Sequence, residues 1–510
     1  MVIKQKSLLK KNLIHFCNKV INMVVQMNRE DFIYEVKTFF KVCFPNEVIS
    51  FTTLTNRSFD FDIQIEDDFL SVSYYSEGQL KYNSDASKEQ IQFIGAITDR
   101  VEKRKEQKKL MKLLISNVTY FITGKEQPWG ILTGIRPTKL VFNLRKLYRN
   151  DTNKIVEILN KDYKLSDEKI QLMLKISDKE HAILSKNKPN EINLYIGIPF
   201  CPTKCLYCSF TSFPIDKWQS HIMDYITALK KEISFISDEL LKGQLNQIRS
   251  IYIGGGTPTS LDEATLEVLL EAVKDAFPLE QIEEYTVEAG RPDTITREKL
   301  LLLKRYGVDR ISINPQTMNQ KTLDLIGRKH TPEDIINTYE MAKEIGFKTI
   351  NMDLIVGLPD ETPEDVRNTI EQIKKMAPNN LTVHTMAIKR GSALSDHEEK
   401  YSYASSESIE EMISITSQGA LEMGLEPYYL YRQKHMVGNF ENVGYAKREH
   451  ECIYNVEIIE EKTNIIALGV GGITKIVTQD GKIINRIENT KDVAGYISRI
   501  DEMIDRKRGI

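Results

Sequence analysis

From Ile192 onward, short apolar runs alternate with longer segments of helical periodicity. The runs are INLYIGI (192–198), SIYIG (250–254), YTVEA (285–289), RISIN (310–314), TINMDLIV (349–356) and LTVHTM (381–386). Their β-branched and aromatic residues suit strands. Between them, 217–246, 262–276, 296–306, 332–345 and 363–376 carry helical spacing, with a shorter helical piece at 318–327. Strand-then-helix repetition over about 190 residues predicts an α/β fold, a parallel sheet with helical crossovers. Six units are too few for the usual barrel of about eight and suit a partial (β/α)6 barrel open on one side. In such folds chemistry sits on loops at the C-terminal ends of the strands.

The flanks read differently. Residues 1–188 mix helical patterns with short strands, an α+β region. SFDFDIQIEDDFLSVSYY alternates well enough for a β-hairpin, and VEKRKEQKKLMKL (101–113) predicts a basic helix with a solvated face. Met27 opens a more regular stretch, so Met1–Gln26 reads as a dispensable extension. SKNKPNE (185–191) has the polar, Pro-containing composition of a linker. The expected division is therefore 1–188, a barrel at 189–387, and a C-terminal extension at 388–510 that covers the substrate. That last part holds EPYYLYRQKHMVGNFENVGYAKRE and IIALGVGGIT and ends in a charged helix near 491–507.

Composition narrows the setting. The chain has 510 residues, 41% of them hydrophobic and 28% charged, which is ordinary for a soluble protein with a full core. A net charge of −3 offers no global attraction to nucleic acid or an anionic membrane. No apolar run reaches the ~18–20 residues of a membrane span. Of six cysteines, Cys17, Cys43 and Cys452 are scattered, while Cys201, Cys205 and Cys208 fall within eight residues. A secreted disulfide framework would be denser. The clustered triplet points to metal chemistry in a reducing compartment, the cytoplasm.

The triplet lies in GIPFCPTKCLYCSF, directly after the first barrel run, as Cys-x3-Cys-x2-Cys. Thiolates on one tight loop can hold three irons of a cubane cluster. No fourth cysteine is near, so the fourth iron stays open to another ligand. The alternatives are zinc, whose structural sites want four ligands, and a redox dithiol, which would not need Cys201. Further motifs follow later runs. IYIGGGTPTSL (251–261) brings glycines that let backbone approach a ligand closely. YTVEAGRPD supplies Glu288, DRISINPQT Gln316 and IGRKH Arg328. NMDLIVGLP sets Asp353 in an apolar strand, where a carboxylate needs a polar partner.

Cys-x3-Cys-x2-Cys after the first strand of a partial barrel resembles the radical S-adenosylmethionine superfamily. The later motifs resemble its oxygen-independent coproporphyrinogen III dehydrogenase (oxidase) family, most closely the HemZ-type branch. The likeness is strong over about 192–390. It implies a [4Fe–4S] cluster on Cys201, Cys205 and Cys208, whose open iron binds S-adenosylmethionine. One electron then cleaves the sulfonium to a 5′-deoxyadenosyl radical. It implies that Tyr195, Gly255 and Glu288 contact this S-adenosylmethionine. Tyr207, Gly256, Thr257, Gln316, Arg328, Asp353 and Ala387 match positions lining a second S-adenosylmethionine site.

The implied reaction is oxidative decarboxylation of two propionates of coproporphyrinogen III to give protoporphyrinogen IX in heme biosynthesis. Its implied partners are a tetrapyrrole substrate and an electron donor such as flavodoxin or ferredoxin, with no nucleic acid. Arg136, Tyr431, Arg432, Gln433 and Lys434 are candidates to meet the substrate's carboxylates. One position departs from the pattern. Active dehydrogenases of the best-known branch carry a cysteine two residues after the third ligand, where this chain has Phe210. The heme-chaperone branch also lacks that cysteine, so a heme-binding chaperone, or a radical enzyme acting on another tetrapyrrole, stands as the alternative.

Overall fold

β1 (Asn22–Met27), all but its last residue within the stretch read as a dispensable extension, buries Met23, Val25, Gln26 and Met27 and is the second strand of a sheet. The computed structural model describes residues 22–509 except 46, 54–58, 244–246, 390, 397–399, 434–438 and 478–483. Residues 1–21 and Lys434 thus lie outside the described residues. Two compact units divide at Leu174/Lys175. This lies before the linker expected at 185–191, because one helix, Asp167–Leu184, runs across the division.

The first unit is α+β. Its sheet has the order β2-β1-β3-β4-β5, with β2 (Val48–Thr52), β3 (Phe61–Ile65), β4 (Leu70–Ser76) and β5 (Gln79–Asp85). β1 pairs in parallel with both β2 and β3, while β3 and β4 form the expected hairpin. The basic segment belongs to the helix Arg100–Thr123. One side buries Leu110, Met111, Leu114, Ile115 and Val118, and the cations pair with acids, Arg104 with Asp31 and Lys103 with Asp67. A chain starting at Met27 will lose the burial of Met23 and Val25, each worth about 1.5–3 kcal/mol, as well as the ladder bonds. Thermal unfolding of this truncation should show the first unit destabilised by several kcal/mol.

The second unit holds the barrel. Its parallel strands are β6 (Glu191–Ile198), β9 (Gln247–Gly255), β10 (Glu284–Gly290), β11 (Arg310–Ile313), β12 (Thr349–Val356) and β13 (Asn380–Thr385), adjacent in that order. Between β6 and β9, the two-residue strands β7 (Phe200–Cys201) and β8 (Phe213–Pro214) pair with each other. The crossover helices start where capping chemistry dictates. Asp262 caps Glu263–Ala276, and Thr331/Asp334 and Thr362/Asp365 form capping boxes before Pro332–Ile345 and Pro363–Met376.

Beyond Ala387 the described strands extend the barrel sheet at both edges. β15 (Asn442–Ala446) pairs antiparallel with β13, and β14 (Glu426–Tyr431) pairs antiparallel with β15 at the outer edge. β16 (Asn464–Leu468) lies parallel to β6 and is followed by β17 (Ile473–Val477) and β18 (Ile484–Glu488). Between β15 and β16, the helix Ile453–Glu460 plugs the N-terminal ends of the strands. Glu284, the first residue of β10, accepts the N–H groups of Ile453 (2.9 Å) and Tyr454 (3.2 Å). Arg249 and Glu457 form a buried pair at 2.8 Å, and Arg310 donates to the His450 carbonyl at 2.9 Å.

The charged C-terminal segment is two short helices, Val493–Ser498 and Ile500–Asp505. Behind them Lys507, fully buried, meets the equally buried Glu232 of the helix Ile222–Lys242. Lys507 also donates to the Ala467 carbonyl (2.8 Å) and Asn489 Oδ1 (3.0 Å). Glu232 accepts from Gly469 N (2.8 Å), Asn489 Nδ2 (2.9 Å) and Tyr496 Oη (2.5 Å). Every charge there has partners, as burial demands.

Candidate cofactor site

The cysteine loop leaves β6 at the C-terminal end of the barrel and is tied down on several sides. β7 and β8 clamp its ends, and Phe213 N donates to the Pro199 carbonyl at 2.8 Å. Gly256 N and Thr257 N donate to the carbonyls of Ile198 (2.8 Å) and Phe200 (2.7 Å). On the far side Leu206 N donates to Ile326 O, and Leu394 N to Leu206 O, both at 3.0 Å. Gly256 admits this contact because a Cβ there would lie 2.6 Å from the Phe200 carbonyl.

Arg291 holds the middle of the loop. Asp293 grips its guanidinium at 3.0 and 2.8 Å, and its Nη1 reaches Thr203 O (3.1 Å), Thr203 Oγ1 (2.8 Å) and Cys205 Sγ (3.9 Å). Reading YTVEAGRPD for Glu288 alone passed over it; the arginine directly after a strand-end glycine was the available signal. Cys205 is buried, Cys201 and Cys208 are half-buried, and Cys201 Sγ lies 3.4 Å from Thr257 Oγ1. Burial pushes the Cys201 thiol up to about 11. Among the described residues, no three His, Cys, Asp or Glu side chains are closed into a preformed metal site.

Across the mouth, Glu288 near the end of β10 is half-buried. Its Oε1 accepts from Tyr252 Oη at 2.5 Å and its Oε2 from Gly255 N at 3.1 Å. Burial pushes this carboxyl up to about 7, opposed by the Tyr252 hydrogen bond and reinforced by the Asp353 charge. Tyr195 comes to Gly255, where a Cβ would lie 3.1 Å from its hydroxyl. Tyr195 also stacks on Tyr454 (6.1 Å between centroids), and Tyr252 stacks on Tyr454 at 4.5 Å.

The remaining candidates occupy the other arc. Tyr207 accepts from Arg328 Nη2 at 3.1 Å. Gln316 adopts a left-handed backbone (φ 67°) and bridges to β12, with its N–H on Asp353 O and its carbonyl on Ile355 N, both 2.9 Å. The Asp353 carboxylate accepts from Asn351 at 2.8 Å and lies 4.0 Å from His384 Nε2. His384 Nδ1 is 3.3 Å from Tyr431 Oη, which in turn accepts from Gln433 at 3.4 Å. Ala387 is buried two residues beyond β13. Arg432 turns away: only 3% exposed, it donates to the Asn439 carbonyl at 2.6 Å. Arg136 belongs to the first unit. His384 and Tyr252 were not anticipated, since each sits inside a run read only for its strand or glycine character, and Tyr454 lies between the runs singled out.

A family model of the radical SAM superfamily matches residues 195–373. The oxygen-independent coproporphyrinogen-III oxidase-like protein HemZ of Bacillus subtilis is 41% identical over 414 residues, 80% of this chain and 82% of its own length. The chain belongs to the radical SAM superfamily and to its oxygen-independent coproporphyrinogen III oxidase family. Heme chaperones of the superfamily are also similar. HemW of Bacillus subtilis is 41% identical over 170 residues, 33% of this chain and 43% of the relative, and HemW of Escherichia coli is 28% identical over 313 residues, 60% and 75%. The solved structure of coproporphyrinogen III oxidase (HemN) from Escherichia coli shares the fold, with a TM-score of 0.50 at 21% identity over 64% of this chain and 73% of that one.

S-adenosylmethionine and a [4Fe–4S] cluster are general features of this superfamily. The residues here fit both groups. Three thiols share one anchored loop, the Gly254–Gly256 turn lets Glu288 and the Phe200 carbonyl pack against bare backbone, and a half-buried carboxylate faces the mouth. No helix among the described residues is long and apolar enough to cross a membrane.

Proposed function

We propose that this radical enzyme oxidatively decarboxylates two propionates of coproporphyrinogen III to vinyl groups, in the cytoplasm, with electrons from a flavodoxin- or ferredoxin-type donor. The observation that carries the proposal is 41% identity across four-fifths of both this chain and an oxidase-like relative. In this reading Cys201, Cys205 and Cys208 hold the cluster. Tyr195, Gly255 and Glu288 contact its S-adenosylmethionine, and Tyr207, Gly256, Thr257, Gln316, Arg328, Asp353 and Ala387 line a second such site. The cofactors supply reductive cleavage of a sulfonium and a radical that abstracts hydrogen.

The chain's own residues bind, orient and exclude. Glu288 offers a carboxylate to the cationic end of the methionyl group or to a ribose hydroxyl. Arg328, fixed by Tyr207, offers a guanidinium to a carboxylate. Tyr431, Gln433 and His384 present hydrogen-bonding groups to the substrate near the C-terminal ends of β13 and β14. Each propionate loses one β-hydrogen, carbon dioxide and one electron, so an acceptor must take that electron.

A second reading, a heme chaperone that keeps the cluster, is favoured by Phe210. This ring is 67% exposed, with Lys389 Nζ 5.9 Å from its centroid, where a further cysteine would stand in the best-known dehydrogenases. Anaerobic assay of the reconstituted protein with coproporphyrinogen III decides between them. The expected result is two losses of 44 mass units (about one CO2 each) with matching hydrogen loss. Cleavage of S-adenosylmethionine without vinyl product, together with stoichiometric heme binding and transfer, would establish the chaperone instead.

A further inference from the structure

The plug beneath the barrel reaches the cofactor side of the molecule through Tyr454, which stacks on both Tyr252 and Tyr195. We propose that Tyr252, backed by Tyr454 of the C-terminal plug, is a positioning residue that fixes the Glu288 carboxylate. The proposal rests on the reading that Glu288 meets S-adenosylmethionine.

Two donors define the carboxylate's orientation. Tyr252 Oη takes one oxygen at 2.5 Å and Gly255 N takes the other at 3.1 Å. β9 makes room for this arrangement with glycine at 254. A Cβ there would lie 2.7 Å from Glu288 Oε2 and 2.8 Å from Tyr252 Cε1. The tyrosine is itself held. Its ring lies nearly parallel to that of Tyr454, 4.5 Å away at 23°, and Tyr195 closes the stack at 6.3 Å from Tyr252. Tyr454 is buried, and its backbone N–H is secured by Glu284. The plug helix is pinned further along by the buried Arg249–Glu457 pair. A segment about 165 residues beyond Glu288 thus supports the ring that orients it.

The groups facing Glu288 are Tyr195, Tyr252, Tyr454 and Asp353. Among the tyrosines, Tyr252 donates to the carboxylate and favours its ionised form, whereas burial and Asp353 favour the protonated one. Loss of the Tyr252 hydroxyl therefore moves the carboxyl further upward. A residue that merely filled space would leave that titration unchanged.

The test is Tyr252→Phe in the full chain, read by difference infrared spectroscopy of the carboxylic-acid band, with Glu288→Gln assigning it. The midpoint should rise by about one pH unit. At pH 7 the ionised fraction then drops from about a half to about a tenth, and calorimetric affinity of the cluster-loaded protein for S-adenosylmethionine falls about fivefold. Tyr454→Phe keeps the stack and should leave the midpoint in place, while Tyr454→Ala should raise it. A Tyr252→Phe midpoint equal to that of the parent overturns the positioning role. A shifted midpoint with an unchanged pH profile of binding overturns the Glu288–cofactor contact on which the role rests.

Discussion

Lys507→Met, with Glu232 left in place, will destabilise the barrel unit by about 3–5 kcal/mol, measured by denaturant unfolding. Both groups are wholly buried, so water cannot replace the lost ammonium. Lys507 also donates to the Ala467 carbonyl and to Asn489 Oδ1, two bonds that methionine cannot make. Pairing the change with Glu232→Gln should restore part of the loss, because the uncompensated charge is the larger component. The recovered fraction, read from the double-mutant cycle, reports the coupling. Equal losses in the single and double variants would show that the charge pair contributes little beyond its hydrogen bonds.

Cys201→Ala will abolish cluster assembly and cleavage of S-adenosylmethionine while leaving the fold nearly intact. Its Sγ has one polar neighbour, Thr257 Oγ1 at 3.4 Å, so the structural cost is about 1 kcal/mol. The loop's anchors are backbone bonds and Arg291, none of which the substitution touches. After anaerobic reconstitution, the variant should lack cluster absorption in the visible range and its turnover should fall at least about 10⁶-fold. Unchanged circular dichroism would separate this loss from unfolding. A variant that retained cleavage would show that Cys201 is not a ligand.

The barrel was legible because its signals are local. The helices 332–345 and 363–376 start where Thr-Pro capping boxes place them, and TINMDLIV forms β12 as its apolar run predicts. The triplet in GIPFCPTKCLYC stood out for the same reason: its meaning lies in spacing over eight residues. What stayed hidden depends on partners far along the chain. The runs after Ala387 carry no local sign that β15 will pair with β13 and β16 with β6. Arg291 and Tyr252 were visible as letters, but their roles come from Thr203 and Glu288, dozens of residues away. The start of the first unit misled for a similar reason. Nothing in residues 22–26 announces that β2 and β3 will flank them.

The pairing of β6 with β16 also sets an order of events during synthesis. Asn193 and its partner Thr463 are separated by 270 positions. At about 5–20 residues per second, the ribosome needs roughly 14–54 s to make that stretch. Throughout that interval β6, from which the cysteine loop hangs, keeps one edge unpaired and open to strand exchange with a neighbouring nascent chain. Tyr454 and the plug emerge just before β16, so the barrel floor and its missing edge arrive together. In the proposed function, iron delivered before then would meet a loop on an unfinished sheet.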